Sequence, residues 1–493
     1  MRIGFDHDRY TAMQSENILK RIETFGGKLY LELGGKLFDD NHASRVLPGF
    51  RPDSKVSMLL NLKDQAELVI AISADDIEKS KVRGDSGITY DAEVLRLIDA
   101  FRGIGLYVGS VVLTRWRGQH SAVLFRQRLE KLGVRTFLHF PIDGYPYDVE
   151  KIVSDEGFGQ DEYIETTRPL VLVTAPGPGS GKMAVCLSQL YQEHKRGIKA
   201  GYAKFETFPI WNLPLNHPVN IAYEAATADL DDVNMIDPFH LEAYGMTAVN
   251  YNRDVEIFPV LNAIFRKIQG VSPYKSPTDM GVNMAGNCIV DDAVCCHASR
   301  MEILRRYYNA CVERLQGKCD DEPVRRLELV MNQADVTPEI CPAVSAALLK
   351  AETTHAPAGA MVLPDGQVIT GKTSSALGAA SALLLNALKS LGGIDDQFEL
   401  ISAQVLEPVC NFKTRYLGHR NPRLHTDEVL MALTISALTN PLAELAQQQL
   451  PKLRGCDAHF TVVLSEVDAK LLKKLGIRVS CQPKYETKKL YHK

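Results

Sequence analysis

Nowhere in these 493 residues does an uninterrupted apolar run reach the ~20 positions a membrane-crossing helix needs. The nearest stretches are broken, 374–393 by Asn386 and Lys389 and 429–446 by Asn440 and Pro441. The opening MRIGFDHDRY has no apolar centre of a secretion signal. A basic excess is also missing: the net charge is −4, whereas nonspecific nucleic-acid binding needs a positive face. The ten cysteines contain no C-x-x-C pair, which excludes a zinc ribbon or thioredoxin-like motif and reads as reduced thiols. H-E-x-x-H, G-x-S-x-G and a helix-opening G-x-G-x-x-G are all absent, so zinc-peptidase, hydrolase-elbow and dinucleotide signatures are not offered. These absences predict a soluble cytoplasmic protein with no membrane and no nucleic-acid partner.

The chain does have apolar material for real cores. Hydrophobic residues make up 45% and charged residues 24%, ordinary globular values, and the length suits two to four domains.

The most informative stretch is LVLVTAPGPGSGKMAVCLSQLYQEHKRG, residues 170–197. Residues 170–174 read as a buried strand. Met183, Leu187, Leu190 and Tyr191 fall on one helical face. Lys195 and Arg196 suit the helix's negative end, and Gly197 sits where a left-handed cap would close it. Between strand and helix, Gly177, Gly179, Ser180 and Gly181 form a turn whose N–H groups can surround an anion, with Lys182 adding a point charge. Two positions depart from the usual phosphate motif. Its first glycine falls on Pro176, and its Mg²⁺-binding hydroxyl falls on Met183.

Around this unit, strands are expected at 28–33, 67–73, 106–113, 135–140 and 198–205, with helices at 91–102 and 121–132. That alternation implies a mostly parallel sheet covered on both faces. Ligands in such sheets lie beyond the strands' carboxyl ends. Asp75, Asp76, Thr114, Arg115, Asp143, Thr174, Lys204 and Glu206 all follow strands. Glu32, Lys36, Asp39, Asp40 and His42 crowd a loop that reads as a solvated turn. Residues 205–285 show little periodicity, and Asp229, Asp231, Asp232, Asp237, His240, Glu242 and Asp254 supply oxygen ligands suited to Mg²⁺ or a general base. Helices follow at 301–316, 322–333 and 338–352, the last with Pro338 just inside its start. A strand-rich piece, helices at 373–391 and from 427, and strands at 398–405 and 459–464 complete the chain. Asn440-Pro441 reads as an N-cap with proline at the first helical position.

Residues 366–373, GQVITGKT, match G-x-x-x-x-G-K-[ST] letter for letter. The context argues against them. Pro364-Asp365-Gly366 is a tight-turn sequence between apolar pairs, and Val368, Ile369 and Thr370 would fill the cradle with β-branched side chains. A hairpin feeding a helix is the better reading. The spacing of Cys410, His419, His425, Asp427, Cys456 and His459 matches no common zinc pattern, so zinc is not expected. Lys413, Arg415, Arg420 and Arg423 could grip an anionic ligand or a neighbouring subunit, and a homo-oligomer is expected. Cys295-Cys296-His297 offers a thiol beside a base, but adjacent side chains rarely reach that geometry.

At KLYLELGGKLFDD, VTAPGPGSGKMA, NMIDPFHLEAYG and HRNPRLHTDEV the chain resembles a bacterial family, the domain of unknown function 1846 family, also called UPF0371. The resemblance implies a multidomain α/β cytosolic protein and brings no established activity. Gly181-Lys182, followed by Lys204, Asp237-Pro238 and Glu242, is also similar to ATP-dependent amidoligases such as CTP synthetase. That likeness spans only about 90 residues and implies ligase or kinase chemistry.

The expected fold is therefore α/β. A mostly parallel, doubly wound sheet with a P-loop-like turn occupies 1–285, a helical subdomain 286–353 and a smaller α/β domain 354–493. The expected ligand is small and anionic or phosphorylated, ATP with Mg²⁺ foremost, for a ligase or kinase. Lys182, Lys204, Glu206, Asp237 and His240 are the candidate catalytic side chains, with Gly177, Gly179, Ser180, Gly181 and Lys182 binding the cofactor. A hydrolase or isomerase of a phosphorylated metabolite, or a non-catalytic binding or assembly protein, are the alternatives.

Overall fold

The computed structural model describes residues 2–34, 41–83, 87–228 and 232–486. Lys36, Asp39, Asp40, Asp229 and Asp231 lie outside them. The chain divides into two compact units, one of residues 2–224 and 231–296 and one of 225–230 and 297–493.

The first unit is built on β1 (Leu29–Leu33), β2 (Ala66–Ser73), β3 (Tyr107–Thr114), β4 (Arg135–Leu138), β5 (Leu170–Thr174), β6 (Gly201–Phe205) and a short β9 (Gly281–Val282). They form one sheet in the order β4-β3-β2-β5-β1-β6-β9, and every pairing is parallel. Strands buried on both faces need continuous apolar runs, and LVLVT and AELVIAIS supply them. Alternate side chains divide between two cores. Leu29, Leu31, Leu68, Ile70 and Leu172 pack against helices Tyr90–Gly103 and His120–Lys131. Tyr30, Val69, Val171 and Val173 pack against helices Lys182–Lys195 and Asn252–Gln269.

Strand order fixes where a ligand can sit. From β5 the chain passes to helix Lys182–Lys195 on one face. From the adjacent β2 it passes to helix Tyr90–Gly103 on the other. Chains leaving neighbouring strands in opposite directions open a crevice at their carboxyl ends. The glycine-rich loop lies on its border.

Local readings failed in identifiable ways. The N-terminal segment forms helix His7–Thr24, capped by Asp6 accepting from Arg9 N at 3.0 Å. Its buried face mixes Tyr10, Gln14, Ile18 and Ile22, so the apolar stripe is faint in sequence. Residues 205–285 hold helices Pro218–Ala226, Pro238–Tyr244 and Asn252–Gln269, plus an antiparallel pair of β7 (Asn234–Ile236) and β8 (Val249–Tyr251). Pro259 lies inside the last helix and masks its periodicity.

In the second unit, β10 (Ala358–Val362), β11 (Val368–Lys372), β12 (Asp457–Phe460) and β13 (Arg478–Cys481) form a sheet ordered β11-β10-β12-β13. β10 and β11 are an antiparallel hairpin in the register Val362↔Val368, with Leu363 N donating to Gln367 O at 2.8 Å. The letter-perfect phosphate motif is thus the hairpin that its turn chemistry implied. The expected strand at 398–405 does not form, and helix Ala403–Arg415 begins there instead. Pro342, not Pro338, opens helix Pro342–Thr354, after a single 3₁₀ turn at Pro338–Ile340. Asn440 does cap its helix, accepting from Leu442 N at 3.0 Å with Pro441 next.

Candidate functional site

The loop after β5 is held open by contacts from other strands and helices. Gly179 and Gly181 take positive φ, +78° and +88°, a region costly for other residues. Ser180 is fully buried. Its Oγ donates to Gly177 O at 3.0 Å, and its carbonyl accepts from Thr114 Oγ1 at 2.8 Å. Thr114 ends β3, so the second strand beyond β5 fixes the loop. Tyr90 covers Gly177 so closely that a Cβ there would lie 2.2 Å from its hydroxyl. Among the described residues, the backbone N–H groups of Gly177, Gly179, Ser180, Gly181, Lys182 and Met183 donate to no protein acceptor. Unspent N–H groups at a glycine turn opening a 14-residue helix are what an anion requires.

The side chains linked to Lys182 come from two strands, β1 and β6, the residue just after β6 and a second helix N-terminus. Glu32 on β1 is the register partner of Lys204 on β6 and of Val173 on β5. Tyr202 Oη donates to Glu32 Oε2 at 2.8 Å, and Lys182 Nζ lies 3.7 Å from Glu32 Oε1. Lys204 Nζ binds Asp254, in the first turn of helix Asn252–Gln269, and Glu206 at 2.9 Å. Burial acts against the Lys204 charge, but Asp254, Glu206 and Glu32 outweigh it and hold the ammonium well above the ordinary lysine range. Burial raises the Glu206 carboxyl; Lys204 partly offsets this, while Asp254 and Glu32 add to it. Burial and the Glu32 charge likewise keep the Tyr202 phenol protonated. Two ammoniums and three carboxylates meet here, a net charge of −1 by count.

Lys182, Lys204 and Glu206 therefore share one neighbourhood with the loop glycines. Asp237 and His240 are engaged elsewhere in the same unit. Asp237 is buried, its Oδ1 capping Phe239 N and His240 N at 3.0 Å and its Oδ2 accepting from Thr278 N and Oγ1 at 3.2 and 2.6 Å. His240 Nδ1 lies 3.0 Å from Ser276 Oγ, while its buried Nε2 has no hydrogen-bond partner among the described residues. Of the other rim residues, Asp75 accepts from Gln119 at 2.9 Å, Asp76 pairs with Lys81 and Asp143 with Lys151. Arg115 is exposed at the end of β3 and takes φ +54°, a backbone position that side chains adopt at a cost.

Sequence reasoning passed over Glu32 as a solvated turn residue and gave Tyr90 and Tyr202 no role. An isolated glutamate in the apolar run LYLEL was the available signal, because a charge inside a buried strand needs a partner. In the second unit Lys413 is buried and committed to Glu428 at 2.6 Å. No three of Cys410, His419, His425, Asp427, Cys456 and His459 converge as metal ligands among the described residues.

Fold and site together define an open, doubly wound parallel α/β protein with a glycine-rich turn opening a helix at its switch point. The family described as domain of unknown function DUF1846 matches through its N-terminal part over residues 3–335 and its C-terminal part over 339–491. A UPF0371 protein of Corynebacterium glutamicum is 56% identical over 494 residues, covering 100% of both chains. One from Streptococcus pyogenes serotype M5 is 54% identical over 491 residues, covering 100% of this chain and 99% of its own. The chain belongs to this DUF1846, or UPF0371, family.

Proposed function

We propose that the Gly177–Lys182 loop binds the phosphates of ATP with Mg²⁺, and that the protein is an ATP-dependent ligase or kinase. The observation that carries this reading is the row of unspent N–H groups at the switch point, linked through the Lys182–Glu32 contact and the Glu32–Lys204 register to the Lys204–Glu206–Asp254 contacts. Charge count supports the metal. A cluster at −1 repels a phosphate unless a divalent cation accompanies it, and Glu32, Glu206 and Asp254 are hard oxygen donors suited to Mg²⁺. The chain's own groups would then act by position and charge. The loop amides and Lys182 hold the phosphates, Lys204 neutralises the migrating group, and the carboxylates place the cation.

One observation favours a second reading. Met183 turns toward the core formed by Val185 and Leu187, so the position that holds Mg²⁺ in ordinary phosphate loops is spent on packing. A metal-free phosphorylated metabolite, processed by a hydrolase or isomerase, fits that feature better. Isothermal titration of the full chain with ATP, ADP and sugar phosphates, each with and without Mg²⁺, separates the two. The first reading expects Mg²⁺-dependent ATP binding, weakened about tenfold or more in Lys182→Ala. Sugar-phosphate binding without Mg²⁺ selects the second, and no binding of any probe at millimolar concentration overturns both.

A further inference from the structure

His217, Asp292 and Cys296 are distant in sequence but meet in the first unit. His217 Nε2 lies 3.0 Å from Asp292 Oδ1, and Cys296 Sγ lies 3.6 Å from both His217 Nε2 and Asp292 Oδ2. Theirs is the one group of three or more metal-ligating side chains that converges among the described residues. His217 immediately precedes helix Pro218–Ala226, while Asp292 and Cys296 lie one turn apart at the start of helix Asp292–Leu315.

The arrangement differs from a nucleophile with its base. In a Cys-His-Asp triad the carboxylate holds one ring nitrogen and the thiol the other. Here carboxylate and thiol converge on the same nitrogen, Nε2, while Nδ1 accepts a 3.3 Å contact from Val219 N. Three residues of different ligand chemistry, an imidazole nitrogen, a thiol sulfur and a carboxylate, converging on one another are a coordination pattern. Zinc bond lengths of about 2.05 Å to nitrogen, 2.1 Å to oxygen and 2.3 Å to sulfur give tetrahedral edges of about 3.4 Å for N–O and about 3.6 Å for S–N and S–O. The observed separations are 3.0 Å from His217 Nε2 to Asp292 Oδ1, 3.6 Å from Cys296 Sγ to His217 Nε2 and 3.6 Å from Cys296 Sγ to Asp292 Oδ2, so the N–O and S–O distances are each made by a different oxygen of one carboxylate.

We propose that His217 Nε2, Asp292 and Cys296 Sγ form a site for a zinc-class divalent ion, independent of the phosphate loop. The Cys296 thiol gives up its proton to solvent on binding, and the Nε2 proton now given to Asp292 passes to Nδ1, ending the Val219 contact. Thiolate and carboxylate then neutralise the ion, and the imidazole coordinates as a neutral ligand. Three protein ligands leave a fourth position to water, with Asp292 on the exposed side. Sulfur and imidazole together select this class over Mg²⁺ or Ca²⁺.

The test is Co²⁺ titration of the full chain after chelator stripping, followed by absorption spectroscopy, with Zn²⁺ competition and elemental analysis for stoichiometry. The expected result is one ion per chain, with a thiolate-to-metal charge-transfer band and the intense visible bands of four-coordinate Co²⁺, both erased by Zn²⁺. Cys296→Ser removes the charge-transfer band. His217→Gln and Asp292→Asn weaken binding about 100-fold or more, and Cys319→Ser leaves the titration unchanged. Circular dichroism checks that each variant is folded. If a variant does not fold, Mg²⁺ competition on the wild-type chain still decides, since excess Mg²⁺ should fail to displace Co²⁺. A wild-type chain without the charge-transfer band, a band that survives Cys296→Ser, or displacement by Mg²⁺ overturns the proposal.

Discussion

Lys204 is the residue whose removal most directly probes the cluster linked to Lys182. Its ammonium meets Asp254 and Glu206, and the three side chains are only 20%, 17% and 11% exposed. Lys204→Met keeps the stem's volume but leaves two partly buried carboxylates facing each other, with Glu32 close by. Breaking a buried pair on one side costs about 3–5 kcal/mol, and the residual exposure places this case near about 3 kcal/mol at neutral pH. The pH dependence carries a sign. Without Lys204 the Glu206 carboxyl, already raised by burial, rises further above its unfolded value, so the deficit is absent below the unfolded carboxyl range and grows as pH climbs toward the raised folded value. Each proton involved changes the deficit by about 1.4 kcal/mol per pH unit within that window. Both tryptophans, Trp116 and Trp211, lie in the first unit with Lys204, so urea unfolding followed by tryptophan fluorescence reports on that unit. The wild-type minus variant difference should be about 3 kcal/mol near pH 7.5 and shrink toward pH 5, and adding Glu206→Gln and Asp254→Asn should recover most of it. A difference under about 1 kcal/mol near pH 7.5, or one that stays constant on acidification, refutes the reasoning.

Gly177→Ala forces a Cβ to within 2.2 Å of the buried Tyr90 hydroxyl, an overpacking cost of about 1–3 kcal/mol in urea unfolding; Tyr90→Phe in that background should relieve part of it. Gly181→Ala places a side chain at φ +88° and 3.2 Å from Thr114, so a destabilisation of about 1–2 kcal/mol is expected, and a neutral result would show that the loop readjusts. Asp237→Ala removes a cap and an anchor with four hydrogen bonds, predicting a loss of about 2–4 kcal/mol, with Asp237→Asn intermediate. A stable Asp237→Ala that lost ATP-dependent turnover would instead mark Asp237 as chemical rather than structural. Burial depresses His459 from 6.5 to about 4, so the neutral ring's contribution is present above pH 6.5 and is lost as pH falls toward about 4. His459→Gln should remove about 3 kcal/mol of that pH-dependent difference between wild type and variant, read by circular dichroism of urea unfolding.

Particular residues show what local reading reaches. The strand-turn-helix at Leu170–Lys195 was legible because its apolar run, its glycines and its helical face all lie within one stretch. The hairpin at Gly366 was legible for the same reason. Helix Asn252–Gln269 was not, because Pro259 contradicts the period that tertiary packing of Phe258, Leu261 and Phe265 enforces. Asp237 and Asp254 look alike in an acidic run. One caps the helix that begins at Pro238, while the other reaches Lys204 fifty residues upstream.

The sequence by itself determined that alternating strands and helices form an α/β chain and that a glycine-rich turn opens a helix, because periodicity and turn chemistry act over a few residues. Only the tertiary structure decided that Glu32 lies opposite Lys204, that Thr114 fixes the loop through Ser180, and that Cys296 meets His217 instead of its neighbour His297. Those pairings depend on the strand order β4-β3-β2-β5-β1-β6-β9 and on which face each helix covers. The summed burial of two cores selects that order, and no local stretch of sequence encodes it.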